Sequence, residues 1–401
     1  MEGWKTDKIE NLFTLGRGRV INDEEIKEHP GKYPVFSSQT SNNGEFGKVD
    51  FYEFEGEYIT WTTDGANAGK VFYRSGKFNC TNVCGTLKAK HPKEINVKYF
   101  AYLIDRHAFR HVAVVGNNKL MNNVMGKIKI SYPIDINQQN AIANILSKVD
   151  EAIEAVQGSI AAAERLKKSL MQNLLTGRMK PDGTLRKEDE FYLDEKFGKV
   201  PKGWEVKRLK DICLNSGDYG ANASAIDYDE TKPRFIRITD IDDFGQLLDD
   251  GKAGMAGDNY SKYLLEEDDF LFARTGDTVG KSLLYKKEMG LAVYAGYLIK
   301  FSFDKSKVLP EYFDLIAKSE FFEAFKIAMK RVGAKPNINS REYCSFRFLL
   351  PSDTEEQKEI YGKFANIDKS QNSKQQKIAT LERLKKSLMQ NLLTGRVRVK
   401  K

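Results

Sequence analysis

Histidine and cysteine are scarce in this chain, with 4 of each in 401 residues. Cys80 and Cys84 form an isolated C-x3-C, and His91, seven residues beyond Cys84, matches no common structural zinc spacing. That pattern predicts reduced, half-buried thiols and no metal. There is no H-E-x-x-H, because His107 and His111 lack the glutamate that a zinc protease places between them. The G-x-S-x-G elbow and the G-x-G-x-x-G fingerprint are also missing, as is a methyltransferase-like glycine loop with an N/D-P-P-Y/F tetrapeptide. These absences exclude the common catalytic constellations, and a non-catalytic protein is expected. No apolar run approaches the roughly 20 residues of a membrane helix, since Tyr294 to Phe303 is broken by Gly296 and Lys300. The N-terminal MEGWKTDKIENLF carries acids and no apolar core, so no signal peptide is expected and the cytoplasm is the predicted location.

What is present is 41% hydrophobic and 11% aromatic residues, enough to bury real cores, over a length that predicts two or more domains. The 64 Lys+Arg exceed the 56 Asp+Glu by a formal charge of +8.

An internal repeat organises the chain. ERLKKSLMQNLLTGR occurs at Glu164 to Arg178 and again, identically, at Glu382 to Arg396, 218 residues later. That period is far too long for a solenoid and marks duplication of a large unit. Weaker echoes extend it: Gly3-Trp4-Lys5 with Gly203-Trp204-Glu205, the G-x3-G-K segments Gly65 to Lys70 and Gly276 to Lys281, and Tyr132-Pro133 with Leu350-Pro351. Gln138-Gln139 and Glu356-Gln357 follow in register.

Ile142, Leu146, Val149, Ile153, Val156, Ile160 and Ala163 alternate at spacings of three and four, a heptad seam that Leu166, Leu170 and Leu174 continue, shifted by one residue. The 38 residues from Gln139 to Thr176 would span about 57 Å as a helix. The second copy runs through Ile360, Phe364, Ile367, Ile378, Leu381, Leu384, Leu388 and Leu392. A narrow apolar stripe must be covered, and the two helices are each other's obvious partners. The expected fold is mixed α/β (α+β), with two globular domains at opposite ends of a long antiparallel two-helix coiled coil and pseudo-two-fold symmetry. The predicted boundaries are 1–136 and 201–353 for the domains, 137–178 and 354–396 for the helices, 179–200 for a linker and 397–401 for a basic tail. Short strands are expected at Phe51 to Thr63, Val71 to Arg74, Val83 to Lys88, Arg234 to Ile238, Phe270 to Arg274 and Leu291 to Ser302, and helices at Asn96 to Arg110 and Glu311 to Lys330.

Gly276 to Ser282 superficially looks like a phosphate-binding loop, but such a loop needs four residues between its glycines and both copies here have three. They read as glycine turns between strands. Charge is more informative. Arg106 to Ile130 carries Arg106, Arg110, Lys119, Lys127 and Lys129 with no acid, and the amides Asn117, Asn118, Asn122 and Asn123. Its counterpart, Lys326 to Arg347, carries six cations against Glu342, with Asn337 and Asn339 in the matching place. Lysine and arginine neutralise phosphates, whereas Asn and Arg can read base edges in pairs of hydrogen bonds. Asp240 to Asp269, with ten acids against Lys252 and Lys262, should be repelled by DNA.

Two diverged domains, each followed by a long helix ending L-x-x-x-L-L-x-G-x-x, resemble the specificity subunit of type I restriction-modification systems. The resemblance covers essentially the whole chain and is carried by the two ERLKKSLMQNLLTGR segments, the G-W openings, FARTGDTVGK at Phe272 to Lys281 and LLPSDTEEQK at Leu349 to Lys358. It implies two target recognition domains reading a bipartite site in double-stranded DNA. It also implies spacer helices that dock two methyltransferase subunits, with restriction subunits added to that core. The chain would then hold no cofactor, because S-adenosylmethionine, ATP and Mg would be bound by the partners. The residues chosen for DNA reading are Lys70, Asn117, Asn118, Lys119 and Asn122 in the first domain, and Arg274, Lys281, Lys335, Asn337, Asn339 and Arg341 in the second. For partner docking they are Leu166, Leu170, Leu174, Leu384, Leu388 and Leu392. Because Thr60 to Gly65 stands where the second domain has Phe272 to Gly276, no arginine role transfers to the first, and the halves are expected to read different sequences. A free-standing two-domain DNA-binding regulator and a coiled-coil adaptor without DNA are the alternatives; only the specificity subunit predicts a co-purifying methyltransferase.

Overall fold

The duplication becomes two compact units whose borders run through the middle of both long helices. The computed structural model describes residues 3–114, 116–329 and 336–399. The first unit comprises Met1–Gly158 and Lys374–Lys401, and the second Ser159–Ser373. Two 39-residue helices, Ile136–Leu174 and Thr354–Leu392, each begin in one unit and end in the other. Among the described residues no helix is long and apolar enough to cross a membrane.

In the first unit, Phe13–Arg17, Cys84–Ala89, Tyr58–Thr62 and Val71–Arg74 form an antiparallel sheet in that order. Tyr58–Thr62 (YITWT) is buried at every position, as its β-branched and aromatic composition allows. Helix Val97–Ala108 lies on this sheet through residues three and four apart, including Val97, Phe100, Ala101 and Ile104. Asn96 caps it by accepting from the Tyr99 amide at 2.8 Å. A second sheet of short strands carries Cys80, and its free thiol packs with that of Cys84, at the start of a strand of the first sheet, among Phe36, Tyr58 and Phe78.

The second unit repeats the sheet order with Asp218–Tyr219, Leu298–Phe301, Phe270–Ala273 and Ser282–Leu284. Its core is aromatic, with Phe272 stacked on Tyr343 at 4.6 Å. The helix expected over Glu311 to Lys330 is two helices, Pro310–Ala317 and Glu320–Met329. The hydroxyl of Ser319 turns back between them to the Ile316 carbonyl. The expected linker is ordered structure: Phe191–Asp194 pairs with Gly198–Pro201 as a hairpin. Arg186 donates to the Gly177 carbonyl at 2.7 Å, pairs with Glu356 and lies over the Trp204 ring, while Trp204 Nε1 donates to Glu356 at 3.0 Å.

The two units share one construction at the base. Trp4–Lys8 pairs with Lys129–Pro133, and Trp204–Arg208 with Arg347–Pro351, both placing the tryptophan opposite the proline. One turn into each long helix sits a glutamine with no solvent exposure, Gln139 or Gln357. Gln139 accepts from the Asn96 amide at 2.9 Å and donates to the Pro133 and Glu94 carbonyls at 2.9 and 3.2 Å. Gln357 does the same with the Leu309 amide at 2.7 Å and the Pro351 and Lys307 carbonyls at 2.9 and 3.0 Å. Each glutamine thus ties a strand end, a helix start and the long helix together. Replacing either by methionine keeps the volume and leaves three backbone groups without this partner, one buried and two partly buried. The expected loss is about 3 kcal/mol of stability, read as a lower urea midpoint at unchanged slope.

The helix ends explain the unit borders. Leu174 and Leu175 are buried with Val200, Trp204, Leu209 and Ile212 in the second unit, and Leu392 and Leu393 with Ile9, Leu12 and Ile142 in the first. The repeated fifteen residues are therefore not a free surface throughout: their last leucines dock each helix on a globular base. This revises the boundaries expected from sequence, which set each helix apart as a separate spacer. Equivalent ion pairs join the long helices within each unit, Asp150 to Lys385 at 2.6 Å in the first and Asp368 to Lys167 in the second. Each is partly exposed and contributes on the order of 0.5 kcal/mol.

Candidate nucleic-acid interface

Both G-x3-G-K segments are turns joining sheet strands, with every glycine at positive φ: 92° and 87° at Gly65 and Gly69, 69° and 83° at Gly276 and Gly280. Their hydrogen bonds correspond one for one. Gly69 N donates to Thr62 O and Gly280 N to Ala273 O, while Ala68 N donates to Gly65 O and Val279 N to Gly276 O. A second segment lies along each turn: Gly65 N donates to Asn118 O and Leu120 N to Thr63 O, matched by Gly276 N to Pro336 O and Ile338 N to Arg274 O. The backbone is thus the same in both units where the side chains differ.

On the second unit this loop face gathers Arg274, Asn337 and Arg341. Arg274 follows strand Phe270–Ala273 directly, and its guanidinium lies over the Tyr219 ring at 4.8 Å. Its Nε is buried without a hydrogen-bond partner, and no carboxylate pairs with it among the described residues. Asn337 is exposed and bridges to Thr275. Arg341 is exposed on the short helix Ser340–Cys344. Asn339 instead caps that helix, accepting from the Glu342 amide at 3.0 Å, so its side chain is already engaged. Lys281 pairs with Asp243 at 2.9 Å and donates to the Ile241 carbonyl. Lys335 lies outside the described residues. Tyr219, with its hydroxyl 3.1 Å from the Ser340 amide, joins this face without any signal in the sequence, since an isolated tyrosine carries no motif.

On the first unit Asn117 and Lys119 are exposed on the equivalent loop, and Asn118 is half-buried. Lys119 Nζ lies 3.8 Å from Asp64. Arg17, which sequence reasoning passed over because it sits outside the basic stretch, reaches the same carboxylate at 3.4 Å. Lys70 points elsewhere and pairs with Asp105 at 3.0 Å. Asn122 donates to the Gly16 carbonyl at 3.0 Å, a link that holds its helix to the sheet. Arg106 is likewise internal, donating to the Met389 carbonyl at 3.2 Å. Burial, with Arg106 and Arg110 close by, holds the His107 pKa below its ordinary value, so this ring adds no charge at neutral pH.

The acidic stretch is less free than its composition implies. Asp240 is buried against Arg237 at 2.7 Å, Asp268 binds Lys286 and Lys305, and Asp269 lies 3.4 Å from Lys300. Counter-ions from outside the stretch offset much of its charge.

Of the six leucines selected for partner docking, Leu174 and Leu392 are buried in the unit cores, Leu170 and Leu388 pack partly against them, and Leu166 and Leu384 remain 53% and 47% exposed.

A duplicated fold presenting one cationic, amide-bearing loop face per unit defines a two-headed recognition protein. The chain belongs to the type I restriction modification DNA specificity domain family, whose model matches residues 1–165 and 201–383. It is 25% identical to the MjaVIII type I restriction enzyme specificity subunit of Methanocaldococcus jannaschii, with 100% of this chain and 94% of that one aligned. It is 46% identical over 129 residues to the N-terminus of a putative type I specificity subunit of Mycoplasma pneumoniae, covering 32% of this chain and 68% of that one. It is 39% identical over 176 residues to the MpnII specificity subunit of the same organism, covering 43% and 52%. The matches to Mycoplasma relatives cover as little as 44% of their length. The fold is that of the S subunit from M. genitalium, at 18% identity and a TM-score of 0.62 over 97% of this chain and 96% of that one.

Proposed function

We propose that this chain is the sequence-reading subunit of a type I restriction-modification complex, each unit contacting one half of a bipartite double-stranded DNA site. The observation that carries this is the pair of loop faces with matching backbone hydrogen bonds and different side chains: Thr63, Asp64 and Lys119 in one, Arg274, Thr275 and Asn337 in the other. One scaffold with two sets of donors and acceptors suits the reading of two different half-sites. The chain does no chemistry in this reading. S-adenosylmethionine, ATP and Mg belong to the partners, two methyltransferase subunits and the restriction subunits that join them.

Docking of two like partners is supported by the outer face of the repeated helix segment. Glu164, Arg165, Leu166, Lys168 and Ser169 are exposed, and so are Glu382, Arg383, Leu384, Lys386 and Ser387. The same surface is thus offered twice. Leu166→Glu together with Leu384→Glu is expected to weaken methyltransferase binding about five- to thirtyfold at each site, read as lost co-purification, because an exposed apolar anchor in an interface contributes about 1 to 2 kcal/mol. Neither leucine supports a unit core, so the melting temperature should stay within a degree or two.

Deleting the gene from its host tests the whole reading. Long-read methylome sequencing should show a bipartite methylated motif vanish, and a methylome left unaltered would refute it.

A further inference from the structure

We infer that Arg17 is the base-reading guanidinium of the first unit, the functional counterpart of Arg274 in the second, supplied from a different strand. The inference rests on the proposed function and adds residues to it. Strand pairing establishes the equivalence. In the first unit Trp61 and Arg17 flank Gly85 on opposite sides; in the second Phe272 and Tyr219 flank Ile299 in the same way. Gly18 N donates to Cys84 O where Gly220 N donates to Leu298 O, and Thr63 N to Val83 O where Arg274 N donates to Tyr297 O. Arg17 therefore occupies the position of Tyr219, and Thr63 that of Arg274.

Across the central strand these two positions touch in both units. Arg17 Nη2 lies 3.3 Å from Thr63 Oγ1, and the Arg274 guanidinium covers Tyr219 at 4.8 Å. Each unit thus places one guanidinium at the same point of the loop face, and the arginine and its uncharged partner have exchanged strands. In the first unit the group is steadied by the Asn82 carbonyl and by Asp64, which also faces Lys119. In the second it is steadied by the tyrosine ring. Two cations around one carboxylate leave the first face net positive, and among the described residues Arg17 Nη1 finds no hydrogen-bond acceptor. The end of the guanidinium that carries Nη1 is left to face the O6 and N7 acceptors of guanine in the major groove.

The test uses the complex purified from the host with its co-purifying subunits, and duplexes carrying the wild-type methylome motif with neither half, one half or the other half scrambled. Fluorescence anisotropy should show that Arg17→Tyr binds the intact motif at least tenfold more weakly and no longer discriminates against scrambling of one half. Arg274→Ala should lose discrimination at the other half. Arg17→Tyr combined with Thr63→Arg, which recreates the arrangement of the second unit, should regain part of the lost discrimination. Arg17→Lys keeps the charge without the fork and, should Arg17→Tyr not fold, carries the same expectation of lost discrimination. The proposal is overturned if the Arg17 variants weaken all duplexes equally, if they leave binding unchanged, or if Arg17 and Arg274 affect the same half. A wild-type complex that discriminates against neither scrambled half would instead overturn the proposed function itself.

Discussion

Replacing both Leu392 and Leu393 by alanine is expected to unfold the first unit and leave the second folded. Both leucines are almost fully buried in the cluster built around Ile9, Trp61, Phe100 and Leu146. A buried Leu→Ala costs about 2 to 5 kcal/mol, so the pair removes about 4 to 10, a large part of the roughly 5 to 15 kcal/mol by which a domain is stable. Hydrogen exchange should show Tyr58–Thr62 and Cys84–Ala89 losing protection while Phe270–Ala273 and Leu298–Phe301 keep theirs. The mirror variant, Leu174→Ala with Leu175→Ala, should reverse that pattern, because those side chains belong to the cluster with Trp204 and Phe348. Loss spread evenly over both sheets in either variant would mean that the helix ends do not belong to the units as assigned.

Lengthening both long helices by one heptad is expected to move the two half-sites apart without altering either. Seven residues extend a helix by about 10.5 Å. At about 3.4 Å per base pair that is about three pairs of extra spacer. The insertions belong after Gly158 and after Ser373, where the chain passes from one unit to the other. Both positions are exposed, and a side chain at Gly158 meets nothing within 4 Å. Seven residues make nearly two turns, which keeps the seam on one face, and the matched pair preserves the register that sets Asp150 beside Lys385 and Asp368 beside Lys167. Methylome sequencing of a host carrying the doubly extended chain reads the outcome, and an unchanged spacer would end the idea that helix length sets it.

Much of the plan is legible in the order of residues alone. The exact fifteen-residue repeat announces the duplication, and the heptad seam announces two helices that the structure places within a few residues of the expected ends. The three-residue gap between glycines distinguishes a turn from a phosphate loop, since a turn needs only positive φ at its ends. Individual site residues are less legible. Asn122 and Asn339 look like readers because they are amides in a basic stretch, yet one holds a helix to a strand and the other caps a helix. Composition cannot tell a donor facing outward from one already engaged.

The sequence by itself determined the duplication, the mixed fold, the long helices and the family, because these depend on periodicity and identity along the chain. Only the tertiary structure decided that each helix ends inside a globular core, that the connector folds into a hairpin, and that Arg17 stands where Tyr219 does. Those facts depend on which strands lie side by side. Arg17 and Thr63 are far apart along the chain, and pairing across Cys84–Ala89 brings them within 3.3 Å. Cross-strand neighbours are set by register, which no local pattern in either strand records.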